Sequence, residues 1–191
     1  EDGANIDGAP PEFVLNVQKA LRNVYPLRRF MFGLELYFQG DSEAEKGEYD
    51  IHGMLESILD EVRSLSEVVD GPQYAPQLSL EAKDKPICFG RAAFVEQALY
   101  NIAWNGIAHN GWDYIDSEKR RLDIELDTTP DGIFAIVHIK DNGPGMNECD
   151  LGKGIGLRYA YEVIGEESGI IYFESGSQGG TTFEVRLPLK F

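Results

Sequence analysis

Between Phe13 and Phe38, apolar side chains fall at Val14, Val17, Leu21, Val24, Leu27 or Phe30, Met31 and Leu34. That is the spacing of one helical face, and Pro26 inside the run predicts a kink or a break. The stretch "YDIHGMLESILDEVRSLSEV" predicts a second, amphipathic helix over about 51–69, with Asp50 placed as its N-cap. "GPQYAP" reads as a turn and "QLSLEA" alternates as a strand. "RAAFVEQALYNIAWNGIAHN" (91–110) is a long helical run. "RLDIELD" (121–127) and "IFAIVHIKD" (133–141) read as strands joined by the turn "TTPDG", a hairpin signal. Downstream, "GLRYAYEVIG" is helical, while "GIIYFES" and "TTFEVRLPL" are strands separated by "GSQGG". Helices and paired strands mix without a repeated βαβ order. The pattern predicts an α/β two-layer sandwich, a mixed sheet covered on one face by helices.

Composition sets the scale. The chain has 191 residues, 42% of them hydrophobic, enough for one ordinary core with an appendage. The segments divide into a loose tail (1–12), a helical segment (13–40), an acidic linker (41–49) and the main domain (50–191). The helical segment reads either as a terminal helix docked on its own domain or as a dimerising helix, half of a hairpin. No apolar run is long enough to span a membrane, and no secretion signal opens the chain. Two cysteines, Cys88 and Cys149, make neither a disulfide framework nor a metal-ligand spacing. These features point to a cytoplasmic protein, or to the cytoplasmic portion of a longer one. The net charge of −16 argues against nucleic acid and anionic membrane as partners. A small anion remains open, because a local cation, a helix N-terminus or a metal ion neutralises phosphate inside an acidic protein.

Three patterns carry candidate chemistry. Asn101 and Asn105 stand four residues apart on one helical run, so both amides share a face. Their carbonyls suit Mg²⁺, a hard cation that shares its shell with phosphate and water, although capping or helix–helix bonding would use the same residues. Asp141 closes an apolar strand and opens the turn "DNGPG"; a carboxylate there can accept a hydrogen bond from an exocyclic amine such as adenine's, with Gly143 and Gly145 letting the backbone turn beneath the base. An ordinary turn is the other reading of these residues. Gly152, Gly154 and Gly156 lead into a helix near Leu157, where free N–H groups would meet phosphate, with Lys153 and Arg158 adding charge. The spacing matches neither a dinucleotide fingerprint nor a P-loop.

The order "NIAWNGIAHN", "DNGPGM", "GKGIGL", "GGTTFEVRLP" resembles the N, G1, G2 and Gly-Thr boxes of the GHKL ATP-binding superfamily, and most closely the catalytic domain of sensor histidine kinases, over about 50–190. The resemblance implies a Bergerat-type sandwich, ATP and Mg²⁺ as cofactors, and transfer of the γ-phosphoryl group to a histidine outside this chain. A response regulator receiver domain would be the downstream partner, and a homodimer would form through the N-terminal helix. It implies that Asp141 binds the adenine amine over Gly143 and Gly145, and that Thr181 supports the pocket through its hydroxyl. Asn105, supported by Asn101, would hold Mg²⁺ as the catalytic pair. Gly152, Lys153, Gly154, Gly156 and Leu157 would surround the phosphates.

Departures from that pattern are informative. Only "NECDL" stands where relatives carry a mobile lid, and Ala108 stands where kinases often place a phosphate-binding lysine, leaving His109 or Lys153 to compensate. Asn101 occupies the place of the general-base Glu of ATP-hydrolysing relatives, and an amide cannot take a proton, so rapid intrinsic hydrolysis is disfavoured. No acceptor is evident: "KALRN" (19–23) resembles an H box with Lys19 in place of the histidine, while His52, His109 and His138 have ordinary structural readings. The alternative function is a non-catalytic adaptor, a pseudokinase or phosphotransferase-like protein that keeps the fold.

Overall fold

Alternation of buried and half-exposed positions defines the central sheet of the computed structural model, which describes residues 10, 12–13, 16–17, 20, 24, 31, 46–70, 75–108, 120–147, 154–176 and 179–190. The predicted helical segment at 13–40 therefore lies almost wholly outside the described residues. Strand β1 (Gly47–Asp50) leads into helix α1 (Ile51–Asp70), followed by β2 (Gln77–Ala82), β3 (Ile87–Gly90) and α2 (Ala92–Ala108). Then come β4 (Arg121–Thr128), β5 (Phe134–Asp141), α3 (Ile155–Glu166), β6 (Ile170–Ser175) and β7 (Thr181–Pro188). Five strands form one mixed sheet in the order β2-β4-β5-β7-β6, and β1 pairs with β3 in a separate two-stranded sheet. Only the β2–β4 pair is parallel.

Inward positions of the sheet are apolar: Leu122, Ile124 and Leu126 on β4, Ala135, Val137 and Ile139 on β5, Phe183, Val185 and Leu187 on β7. Helices cover this face, as the period-two pattern requires. Helix α1 turns a stripe of Ile51, Leu55, Ile58, Leu59, Val62 and Leu65 onto it. Its start is fixed locally, because Asp50 Oδ1 accepts from the His52 backbone N–H at 3.0 Å. Helix α2 lies between α1 and α3 and also meets the sheet. That position explains why Phe94, Val95, Ala98, Leu99, Tyr100, Ile102, Ala103, Trp104 and Ile107 bury much of its circumference.

The outer face of the sheet carries a polar ladder. Ser79 bonds Asp123 at 2.7 Å, Lys140 pairs with Glu125, and His138 meets Glu184 at 3.2 Å. Arg186 reaches Glu184 at 2.7 Å and lies over the Tyr172 ring. The small sheet is a feature the residue pattern did not predict. β1 occupies the end of the acidic stretch expected to be linker, and β3 joins the end of β7 through a Cys88–Leu189 bridge.

Candidate functional site

Asp141, the last residue of β5, stands at the junction of three elements. Its Oδ1 accepts from the backbone N–H of Gly143 at 2.8 Å and from that of Thr181 at 3.3 Å. The Gly-Thr stretch therefore supports Asp141 through the Thr181 backbone N–H. The turn after β5 interlocks with the turn before β7. Gly180 donates to the Gly143 carbonyl at 2.6 Å, and the Met146 N–H donates to Ser175 Oγ at 2.9 Å. Gly180 adopts φ +82°, and a Cβ there would lie 2.7 Å from the Asp141 carbonyl oxygen, so no other residue fits without displacing the strand end. Gly145 likewise has positive φ and packs against Ser175.

The carboxylate is packed against α2 by Gly106. An ideal Cβ at Gly106 would stand 3.0 Å from Leu122 Cδ1, 3.3 Å from Asp141 Cβ and 3.6 Å from Asp141 Oδ2. Gly106 directly follows Asn105 in α2, so Asp141 meets this helix one residue along from the second of the paired amides. Asn105 is partly exposed, and among the described residues its side chain has no hydrogen-bond partner. A partly solvated amide carbonyl of this kind suits a shared Mg²⁺ shell.

Asn101, one turn earlier, is engaged. Its Oδ1 accepts from Gln97 Nε2 at 3.0 Å, and its Nδ2 donates to the Gly156 carbonyl at 3.4 Å. Gly156 lies in the first turn of α3, and Gly154 is the N-cap residue with extended backbone and no side-chain cap. The first turn holds no acidic residue, so the positive end of the helix dipole has no compensating charge on its own turn. Gly154 and Ile155 are exposed there, and Leu157 anchors the turn in the core. Arg158 pairs with Glu162 at 3.0 Å along the helix. Gly152, Lys153, His109 and Cys149 lie outside the described residues.

The far end of α3 is held more firmly. Glu167, its C-cap residue, has a side chain only 1% exposed and is bonded by Arg91 Nε. It also accepts from the Arg91 backbone N–H at 3.2 Å and pairs with Lys46 at 3.2 Å. Burial pushes the Glu167 carboxyl up, but the hydrogen bonds from Arg91 and Lys46 outweigh it and leave the group below the ordinary carboxylate range. Of the histidines considered as acceptors, His52 is 8% exposed with Nδ1 3.4 Å from Glu56, and His138 sits on the outer face of the sheet.

Gly106, Gly180, Ser175 and Gln97 were not singled out from the sequence as site residues. Gly180 was read only within the turn "GSQGG" and the Gly-Thr box "GGTTFEVRLP". Gly106 and Ser175 act through tertiary neighbours, and Gln97 acts on Asn101 at i+4, whose own contact with Gly156 no spacing rule reveals.

With this geometry in place, the comparisons with known proteins are direct. Residues 90–191 match the family described as histidine kinase-, DNA gyrase B-, and HSP90-like ATPase, and the chain belongs to that family. Sporulation kinase B of Bacillus subtilis (strain 168) is 27% identical over 149 residues, covering 70% of this chain and 32% of that protein. A probable C4-dicarboxylate sensor kinase of the same organism is 26% identical over 176 residues, covering 82% of this chain and 32% of that protein. The sensor histidine kinase TmoS of Ectopseudomonas mendocina is 26% identical over 117 residues, 54% of this chain and 12% of that protein. The chain thus spans a third or less of the length of these relatives. Among solved structures, the mycobacterial sensor histidine kinase MprB superposes with a TM-score of 0.61 at 17% identity, over 76% of this chain and 99% of that one. The Acinetobacter baumannii histidine kinase AdeS gives 0.62 at 20% identity, over 88% and 77%. The fold is that of histidine kinase ATP-binding domains, an α/β architecture with a mixed five-stranded sheet packed against helices.

Proposed function

We propose that this chain is the catalytic ATP-binding part of a sensor histidine kinase, which binds Mg-ATP and passes the γ-phosphoryl group to a histidine outside this chain. The observation that carries the reading is the placement of Asp141. Its carboxylate is held by two backbone N–H groups and packed against Gly106, the residue after Asn105, on the same helix whose Asn101 bonds the first turn of α3. Asp141 accepts from the adenine amine, and the backbone of Gly143 and Gly145 passes beneath the base. Gly154, Gly156 and Leu157, with Gly152 and Lys153 before them, present N–H groups and charge to the phosphates. Asn105 holds Mg²⁺ through its carbonyl, and the ion when bound neutralises phosphate charge during transfer. Position 101 carries an amide and offers no general base, which favours transfer to an acceptor over hydrolysis.

His52 and His138 each face a carboxylate, Glu56 and Glu184, a setting that favours an acceptor elsewhere. A receiver domain takes the phosphoryl group onward, and two copies associate through the segment 13–40. Among the described residues no helix is long and apolar enough to cross a membrane, which fits a cytoplasmic working place for this part of the protein.

Calorimetric titration with ATP, with and without Mg²⁺, tests the reading. The wild-type chain binds ATP in the micromolar range in a Mg²⁺-dependent manner, and Asp141→Asn, which turns part of the acceptor into a donor, abolishes the heat. Absence of binding by the folded wild type would refute the kinase reading and leave the adaptor.

A further inference from the structure

We infer that Gln97 is a positioning residue of the nucleotide site, acting through Asn101 on the phosphate-facing first turn of α3; this rests on the nucleotide reading above. Gln97 is 3% exposed, an uncharged polar side chain buried within a largely apolar helix. Burying a carboxamide is costly unless it is hydrogen-bonded, and the bond it makes is to Asn101 Oδ1 at 3.0 Å. The two ends of an asparagine amide are chemically opposite, one accepting and one donating. The Gly156 carbonyl can only accept, so Asn101 must turn Nδ2 towards it, as it does at 3.4 Å. A donor from Gln97 on the opposite side satisfies Oδ1 and fixes that orientation.

The two elements lie close: an ideal Cβ on Gly156 would meet Asn101 Cγ at 3.5 Å, so the amide stands about one methyl group from the turn. That turn carries the N–H groups left without helical partners. Asn105 sits one turn along α2 from Asn101, so the Gln97–Asn101 relay keeps the metal-binding amide and the phosphate-binding amides in one mutual register. Asn101 on this view contacts the protein more than the ligand. Its part in the site is to hold α3 against α2.

The relay predicts a specific split between phosphate and base recognition. Competition against a fluorescent ATP analogue, with Mg²⁺ present, reads affinity for ATP and for adenosine separately in the wild type, Gln97→Met, Asn101→Ala and the double variant. Gln97→Met keeps the side-chain volume and removes the donor. It is expected to weaken ATP about tenfold, the scale of one net hydrogen bond, while adenosine stays within about twofold. Asn101→Ala shows the same split, and adding Gln97→Met to it costs nothing further, because both act through one bond chain. Equal weakening of ATP and adenosine, an unchanged ratio, or additive losses in the double variant would overturn the inference. Should Gln97→Met fail to fold, Asn101→Ala alone decides, since an unchanged ATP-to-adenosine ratio there removes the relay. Failure of the wild type to bind ATP is a different result, and it would overturn the nucleotide reading itself.

Discussion

The two ends of the proposed nucleotide site are built by different means. At the base end, backbone N–H groups of Gly143, Thr181 and Gly180 tie the end of β5 to the start of β7. At the phosphate end, two side-chain amides, Gln97 and Asn101, join α2 to α3. The donors at the base end are backbone groups, which every residue type carries, but two of the three bonds end on the Asp141 carboxylate. At the phosphate end one bond joins two side chains and the other joins a side chain to a backbone carbonyl. The base end therefore depends on residue identity at Asp141, whereas the phosphate end depends on it at both Gln97 and Asn101.

The largest effect should come from breaking the base end at Gly106, where Asp141 packs on α2. In Gly106→Val the branched side chain needs space already taken by Leu122 Cδ1 and Asp141 Cβ, 3.0 Å and 3.3 Å from an ideal Cβ. We expect loss of ATP binding by about 100-fold or more, with about 1–3 kcal/mol of stability lost to overpacking. Gly106→Ala adds only the Cβ and gains about 1 kcal/mol of helix propensity, so it should bind within about tenfold of wild type. Titration and thermal melts of both variants check this. Wild-type affinity in the valine variant would show that Asp141 does not depend on its seat against α2.

A second substitution separates the ends of α3 from each other. Glu167→Gln at the C-terminal end removes the charge that Arg91 and Lys46 surround. Unbalancing a buried pair costs about 3 kcal/mol, so denaturant melts should show a clear loss, while the ATP-to-adenosine ratio is unchanged. The sign with pH follows from the lowered carboxyl. The unfolded chain takes up the proton first, near the ordinary Glu value of about 4.3. The contribution of Glu167 is thus complete above that value and is lost as pH falls through the lower folded one. Glu167→Gln should flatten the acid limb of the stability profile. An unchanged acid limb would mean that this carboxylate is not held by its partners.

How much of this was legible in the sequence follows the same division. Helix α1, helix α2 and the β4–β5 hairpin were readable because their periods run through eight or more residues. The four glycine- and asparagine-bearing boxes gave the family, and Asp141 was readable because it ends a long apolar strand at a glycine turn. Strands β1 and β3 were not, since four residues of "GEYD" or "ICFG" offer too short an alternation. Thr181 was expected to support the adenine pocket through its hydroxyl; its backbone N–H bond to Asp141 is a further contact, one that every residue type but proline could make. Gln97 and Gly106 were invisible for another reason. Each looks like an ordinary helical position until Asp141 packs on Gly106, 35 positions away, and Gly156 accepts from Asn101, 55 positions away.

The smallest expected effect tests a feature that belongs to neither end. Asp50 caps α1 through the His52 N–H, a bond set by three consecutive residues and remote in sequence from both glycine turns. Asp50→Ala leaves one orphan donor at the start of the helix, which costs about 1 kcal/mol and lowers Tm by about 2–4 °C for a domain of this size. Nucleotide affinity should be unchanged for ATP and adenosine alike, because the main described contacts of α1 are with α2 and β2. A change in the ATP-to-adenosine ratio would show that the start of α1 communicates with the phosphate end, and the separation drawn between fold and phosphate recognition would then fail at its weakest point.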